Sequence, residues 1–507
     1  MHLSELSHAQ PDRVAATGPD GSSQTYAELD DESRRLASLL SARGLVPGDA
    51  IAILLENTPH FLAAAWGAQR AGLYYVPVNW HLSAAEAAYI VADSGVRALI
   101  SSARLADLAA QVTGDAPGTT TRLAVGGPVD GFEDYATALA ASTPDRPADE
   151  VNGACMFYSS GTTGRPKGIR RSAPPPRFGD TLALEAILAG LYGFGPDAVY
   201  LCPGPLYHAA PLGYSMGTQA LGGQVVLMDR FEPEACLALI DRYKITHMQV
   251  VPTMFVRMLK LPPEVRARYD LSSLRMVVHA AAPCPPAVKR AMIDWLGPVI
   301  SEYYAASEGN CYFAIDSAQW LAHPGSVGRP LSGAPHILDA DGSELPAGEI
   351  GQIWIENEAA FSYHNDPVKT AEAYNDRGWS TLGDLGHVDA EGFLYLSDRR
   401  TDLIITGGVN VYPREIEEAL TMHPKVADVA VIGVAHEEMG EEIRAVVQPA
   451  AGVVPGPELE QELIEHCAGQ LARFKRPRRI DFVAELPRLP SGKILRRVVR
   501  DGYARPA

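Results

Sequence analysis

The chain has 507 residues, 47% hydrophobic and 21% charged, with a net charge of −18. That length exceeds what a single core sustains, so roughly two to four domains are expected. The acidic balance argues against nucleic acid or an anionic membrane as a general partner. An anionic substrate would have to be met by local positive charge, for which Lys167, Arg399 and Lys493 are the candidates.

The first residues, MHLSELSHAQPDR, lack the apolar stretch of a secretion signal. The stretch FLAAAWGAQRAGLYYVPV is broken by Gln69 and Arg70, so no membrane span is expected. Thr25 with Glu28 reads as a capping box, and Leu29, Leu36, Leu39 and Leu40 then share one helical face up to Gly44. AIAILLEN (50–57) follows like a buried parallel strand, and apolar runs return at 223–228, 246–251 and 274–278. Helix-then-strand alternation of this kind is the pattern of layered α/β architecture with mostly parallel sheets. The six cysteines (155, 202, 236, 284, 311 and 467) include no C-x-x-C pair and read as reduced thiols of a cytoplasmic protein.

YSSGTTGRPKG, from Tyr158 to Gly168, is the most informative segment. Gly161, Gly164 and Gly168 permit close backbone approach to a bulky anion, and Ser159, Ser160, Thr162 and Thr163 add hydroxyl donors. With the charge of Lys167 the loop is built to hold phosphate oxygens, although its order differs from a Walker A loop. A flexible linker would also be rich in Gly and Ser, but rarely in this order with a trailing lysine. APPPR (173–177) reads as a rigid loop.

SEYYAASEG (301–309) brings aromatic rings that could stack on a base together with a carboxylate that could hold Mg²⁺. WSTLGDLG (379–386) places Asp384 in a glycine-flanked turn, where a carboxylate could accept from two ribose hydroxyls. From SDRRTD (397–402) onward the chain becomes a compact set of short elements. A helix opens at Pro413, VADVAVIGV and IRAVVQP read as strands, and LEQELIEHCAGQL reads as a helix. A small α+β domain of about 100 residues is expected there, joined by the charged stretch as a hinge. Singly, each of these segments has a plain structural reading: a buried tyrosine pair, a turn aspartate, a surface arginine. In this order, with PSGK near the end, they point to one nucleotide-dependent activity.

The set resembles the adenylate-forming enzymes: acyl-CoA and aryl-CoA synthetases, peptide-synthetase adenylation domains and beetle luciferases. The resemblance covers about Leu3 to Tyr503 and rests on YSSGTTGRPKG, PLYHAAP, HAAAPCP, EYYAASEG, GSVGRP, WSTLGD, DRRTDLIITGGVNVYPREIE and PSGK. It implies a large N-terminal domain of layered α/β sheets (1–398), a hinge (399–401) and a small mobile C-terminal α+β lid (402–507). It implies an acid–CoA ligase that uses Mg²⁺, ATP and CoA, as a monomer or homodimer.

By the same resemblance, Tyr158–Gly168 would wrap the β- and γ-phosphates and Thr162 with Glu308 would bind Mg²⁺. Tyr304 would stack on adenine, Ser307 would touch the α-phosphate, and Asp384 with Arg399 would hold the ribose. Ala281, Ala282, Glu302 and Tyr303 complete the implied ATP set. Lys493 would bridge the carboxylate and the α-phosphate, where positive charge must offset the approach of two anions. His208 would gate the acid, Ala280 and Ala305 would border its pocket, and Gly407 with Gly408 would line a pantetheine channel.

Several positions depart from the family pattern. The hinge residue is Thr401 instead of Asp or Lys, Leu382 replaces a hydroxyl, and Ala305 and Ala280 stand where glycine is common. The expected substrate is an aliphatic, branched or alicyclic acid. An acceptor other than CoA (a carrier protein or an amine), or an unusual first substrate, is the rival reading. An α-amino acid is disfavoured because PLYHAAPLGYSM carries no aspartate to pair its ammonium. A non-catalytic nucleotide-binding protein is the remote alternative, opposed by the joint presence of Lys493, Glu308 and Asp384.

Overall fold

The computed structural model describes residues 3–503 apart from 115, 117, 145–150, 160–165, 172–175, 400–401, 407–408, 437–438, 469 and 489–493. The capping box forms as the sequence dictates. Thr25 accepts from the Glu28 amide, Glu28 reaches back, and the helix Tyr26–Ala42 buries Leu29, Leu36, Leu39 and Leu40. The run at 50–57 becomes the strand Ala50–Leu54, buried along its whole length. It is central in an all-parallel sheet ordered 133–134, 121–125, 98–102, 50–54, 74–77, 154–155.

The strand's period-two alternation divides its side chains between two cores. Ile51 and Ile53 join a cluster with the helices Tyr26–Ala42, Pro59–Arg70 and Ala209–Ala220. Ala50, Ala52 and Leu54 face the other way, onto the helices Ala84–Asp93 and Ala106–Gly114. The first cluster also includes Tyr200, Cys202, Val225 and Leu227 of a second, larger sheet, so the helices lie between two sheets. The helix Pro59–Arg70 is buried nearly all round, as that position requires. Trp66 Nε1 donates to Gln219 Oε1 at 2.8 Å and ties it to the helix Ala209–Ala220.

The larger sheet has thirteen strands among the described residues. The expected strands are there as Gln224–Leu227, His247–Val250 and Met276–His279, all parallel. The parallel expectation fails beyond Ile300–Ala305. There the chain turns straight back into Tyr312–Asp316, and the ladder continues antiparallel through Ser326–Ser332 and Leu394–Arg399. An antiparallel connection needs no crossover helix, so this half of the sheet has only the short helices Ser317–Ala322 and Pro367–Glu372 and little of the helix–strand alternation that marks the first. In the GSVGRP segment Gly328 lies at φ 101° beneath the neighbouring strand, where a Cβ would come within 2.0 Å of the Ala314 carbonyl oxygen.

The small C-terminal domain follows the sequence closely. Pro413–Thr421 and Pro457–Ala468 are helices, and Val426–His436 pairs antiparallel with Gly440–Pro449. Lys260 Nζ donates to the Val426 carbonyl at 2.5 Å and Arg414 to the Leu396 carbonyl at 2.8 Å, joining this domain to the large one. All six cysteines are unpaired. Among the described residues no helix is long and apolar enough to cross a membrane.

Candidate functional site

The strand Ile300–Ala305, its return strand Tyr312–Asp316 and the turn between them form the centre of the site. Ser307 and Glu308 occupy the turn, closed by the Gly309 amide bonding the Ala306 carbonyl at 3.0 Å. Tyr304 Oη donates to Asp384 Oδ2 at 2.7 Å, so residues eighty apart in sequence meet. Asp384 does not sit in the turn expected for it. The bend falls on Gly383 at φ 80°, and Asp384 opens the strand Asp384–Val388, paired in register with Arg399. The pair expected to hold a ribose thus lies on one ladder.

On the other side, Tyr363 Oη donates to Glu308 Oε1 at 3.1 Å. Tyr363 ends the strand Phe361–Tyr363, which pairs with Lys167–Arg171, which in turn pairs with Tyr158–Ser159. This three-stranded sheet brings both flanks of the glycine-rich loop beside the Glu308 turn. Tyr158 is fixed by its hydroxyl on Asp93 at 2.7 Å, and the Lys167 ammonium pairs with the Asp366 carboxylate. Ser160, Gly161, Thr162, Thr163 and Gly164 lie outside the described residues, as do Thr401, Gly407, Gly408 and Lys493. Ser159 and Arg399 are placed by their strands alone.

The loop after the strand Met276–His279 supplies Ala280, which is buried, and then Ala281 and Ala282. Ala281 holds φ 72°, a left-handed conformation costly for alanine. Glu302 is engaged in the interior: its carboxylate meets Lys289 Nζ at 2.6 Å and lies 3.5 Å from His279 Nε2. Burial pushes Glu302 up and Lys289 down, and their mutual attraction opposes both shifts. A sequence reading that counts Glu302 only as an ATP contact misses this pair.

His208 precedes the helix Ala209–Ala220, its ring 4.7 Å from that of Tyr207. The residue as a whole is half-buried, but its Nε2 is sealed from solvent with no hydrogen-bond partner among the described residues, and so is Tyr207 Oη. Burial therefore lowers His208 to about 4, and the ring is neutral at ordinary pH.

Ala305 stands opposite Tyr312 in register, at the edge of an aromatic wall. Tyr303 stacks on Tyr312 with centroids 5.1 Å apart, and Tyr312 Oη lies 3.0 Å from Tyr192 Oη and 3.4 Å from Tyr214 Oη. Tyr363, Asp366 and Lys289 escape sequence reasoning because FSYHND and the helix Pro286–Leu296 carry no motif.

The profile of AMP-binding enzymes matches residues 3–363, and that of the AMP-binding enzyme C-terminal domain matches 415–493. The chain is 34% identical over 505 residues to the fatty acid–[acyl-carrier-protein] ligase ScoC of Streptomyces coeruleorubidus, covering 96% of this chain and 92% of that one. It is 31% identical to the long-chain-fatty-acid–CoA ligase FadD13 of Mycobacterium tuberculosis, with 95% and 93% covered. The solved amide bond synthetase McbA from Marinactinospora thermotolerans superposes with a TM-score of 0.83 at 31% identity, 99% of each chain covered. The fold, the converging motifs and these matches give one result: the chain belongs to the AMP-binding, adenylate-forming enzymes of the acid–CoA ligase type.

Proposed function

We propose that the protein joins a compact carboxylic acid, aliphatic, branched or alicyclic, to CoA through an acyl-adenylate. In the first step a carboxylate oxygen attacks the α-phosphorus of ATP, and the bond to the β-phosphate oxygen breaks to release pyrophosphate. In the second, the CoA thiol attacks the acyl carbon and AMP leaves. The observation that carries this reading is one hairpin that bears both Tyr304, bonded to Asp384, and Glu308, beside the strands flanking the glycine-rich loop. Tyr304, held by Asp384, would present its ring to adenine, and Asp384 and Arg399 would take the ribose hydroxyls. Ser307, Ala281 and Ala282 would border the α-phosphate.

A half-buried carboxylate that accepts from the Tyr363 hydroxyl fits a hard cation that keeps substrate oxygens as its other ligands. Among the described residues no group of three His, Cys, Asp or Glu forms a dedicated cage, as that mode requires. Glu308 with Thr162 would therefore hold Mg²⁺, which when bound offsets phosphate charge. Lys493 would come from the lid, pivoting about 399–401, to meet the charge that develops between carboxylate and α-phosphate. Lys167 would add charge from the loop strand. His208, neutral, would stand at the acid's entrance.

The aromatic wall behind Ala305 favours a compact acid over a long straight chain. Gly407 and Gly408 would give the pantetheine arm its channel. The six unpaired cysteines suit a reducing cytoplasm.

The named relatives differ in what their names give as acceptor, so transfer to a carrier protein or an amine is the second reading. Pyrophosphate release over a panel of acids, with and without CoA, decides. Acid-dependent release with CoA-dependent thioester is expected. Release without thioester would move the assignment to another acceptor, and silence with every acid would overturn it.

A further inference from the structure

The strand Lys167–Arg171 carries three cations with different commitments. Lys167 pairs with Asp366, and the Arg170 guanidinium lies 4.8 Å over the Tyr74 ring. The Arg171 side chain has no hydrogen bond or ion pair with any described residue and is exposed, in a chain whose net charge is −18. Its guanidinium packs on Gly309, the residue after Glu308. A Cβ built on that glycine would stand 3.1 Å from Arg171 Nε and 3.3 Å from Cζ. Gly309 also holds φ 72°, which disfavours a side chain there, and a Cβ would press on the guanidinium. The turn bearing the candidate metal carboxylate thus makes room for an arginine, unpaired among the described residues, from the strand that leaves the glycine-rich loop.

We propose that Arg171 binds the terminal phosphates of the nucleotide and stays with the pyrophosphate as it leaves. Guanidinium matches phosphate oxygens with paired donors, whereas an ammonium offers a point charge. When the bond from the α-phosphorus to the bridging oxygen breaks, its electron pair remains on the β-phosphate oxygen. Arg171 meets that growing charge, and no proton need move. The proposal rests on the ATP-dependent reading above and adds a residue to it.

Arg171→Leu and Arg171→Lys test it by calorimetry with ATP, inorganic pyrophosphate and AMP, alongside ATP–pyrophosphate exchange. Leucine should weaken ATP and pyrophosphate about tenfold to a hundredfold, the range for a lost charge-assisted contact. Lysine should recover part of that loss. AMP, which lacks the terminal phosphates, should bind both variants as it binds the parent. Thioester formation from preformed acyl-adenylate should stay within about twofold of the parent, and melting temperature should be unchanged because the side chain is exposed. Equal weakening of ATP and AMP, or unchanged pyrophosphate affinity, overturns the proposal. If the parent binds ATP but exchanges with no acid, the ligase reading fails separately, while the pyrophosphate–AMP comparison still decides Arg171.

Discussion

Ala281 holds a backbone conformation that costs alanine about 1 kcal/mol, on a loop bordering the proposed α-phosphate position. Ala281→Gly removes that strain at a similar entropic cost in the unfolded chain, so stability should be unchanged or slightly raised. Ala281→Val, with a branched β-carbon at positive φ, should lose about 1–2 kcal/mol in urea denaturation. Equal midpoints for the two variants would contradict the conformation. Glu308→Gln keeps an oxygen for the Tyr363 hydroxyl but removes the charge. The expected result is a loss of about tenfold or more in adenylation with a higher Mg²⁺ requirement and an unchanged melting curve. A lower melting temperature with normal Mg²⁺ dependence would make Glu308 a structural residue. Glu308, Tyr304 and Asp384 were legible in the sequence because each sits in a short motif. Tyr363 was not, since its contact is tertiary and reaches 55 residues away.

Beneath the site, the helix Pro286–Leu296 and the strand Ile300–Ala305 are locked by a charge pair removed from water. Lys289 is 0% exposed, bonded to Glu302 and 4.9 Å from the Trp320 ring centroid. Lys289→Met alone leaves a buried carboxylate without its partner and should cost about 3–5 kcal/mol. Adding Glu302→Leu should recover much of this, because two apolar side chains replace two desolvated charges. A silent single mutant, or a double mutant worse than the single, would refute the account. This bond leaves no mark in the sequence, because a lysine on a helix ordinarily reads as solvated. Its place between Trp320 and Glu302 makes it internal.

Across the whole molecule, parallel strands could be read from their apolar runs, since a strand covered on both faces leaves a nearly continuous hydrophobic signature. The antiparallel half could not, because those strands carry site residues and alternate with polar positions. The layered cores also bury neutral histidines. Burial lowers His208 and His247 to about 4 and His279 well below its ordinary value of 6.5. The unfolded chain binds these protons from about pH 6.5 downward, while the native state refuses them. Their contribution to stability is therefore full above about 6.5 and lost progressively as pH falls toward 4. Denaturant midpoints measured from pH 7 to 4.5 should fall, and His247→Gln should flatten the decline; a pH-independent midpoint would contradict the burial. The unpaired thiols have a practical consequence of another kind. Burial raises all six, so maleimide at neutral pH should leave the folded chain unlabelled by mass spectrometry. The protein is in effect a cysteine-free background for fluorophores. With Val46→Cys on the large domain and Val454→Cys on the small one, 57% and 84% exposed, a dye pair could follow the lid through each half-reaction by energy transfer, one molecule at a time.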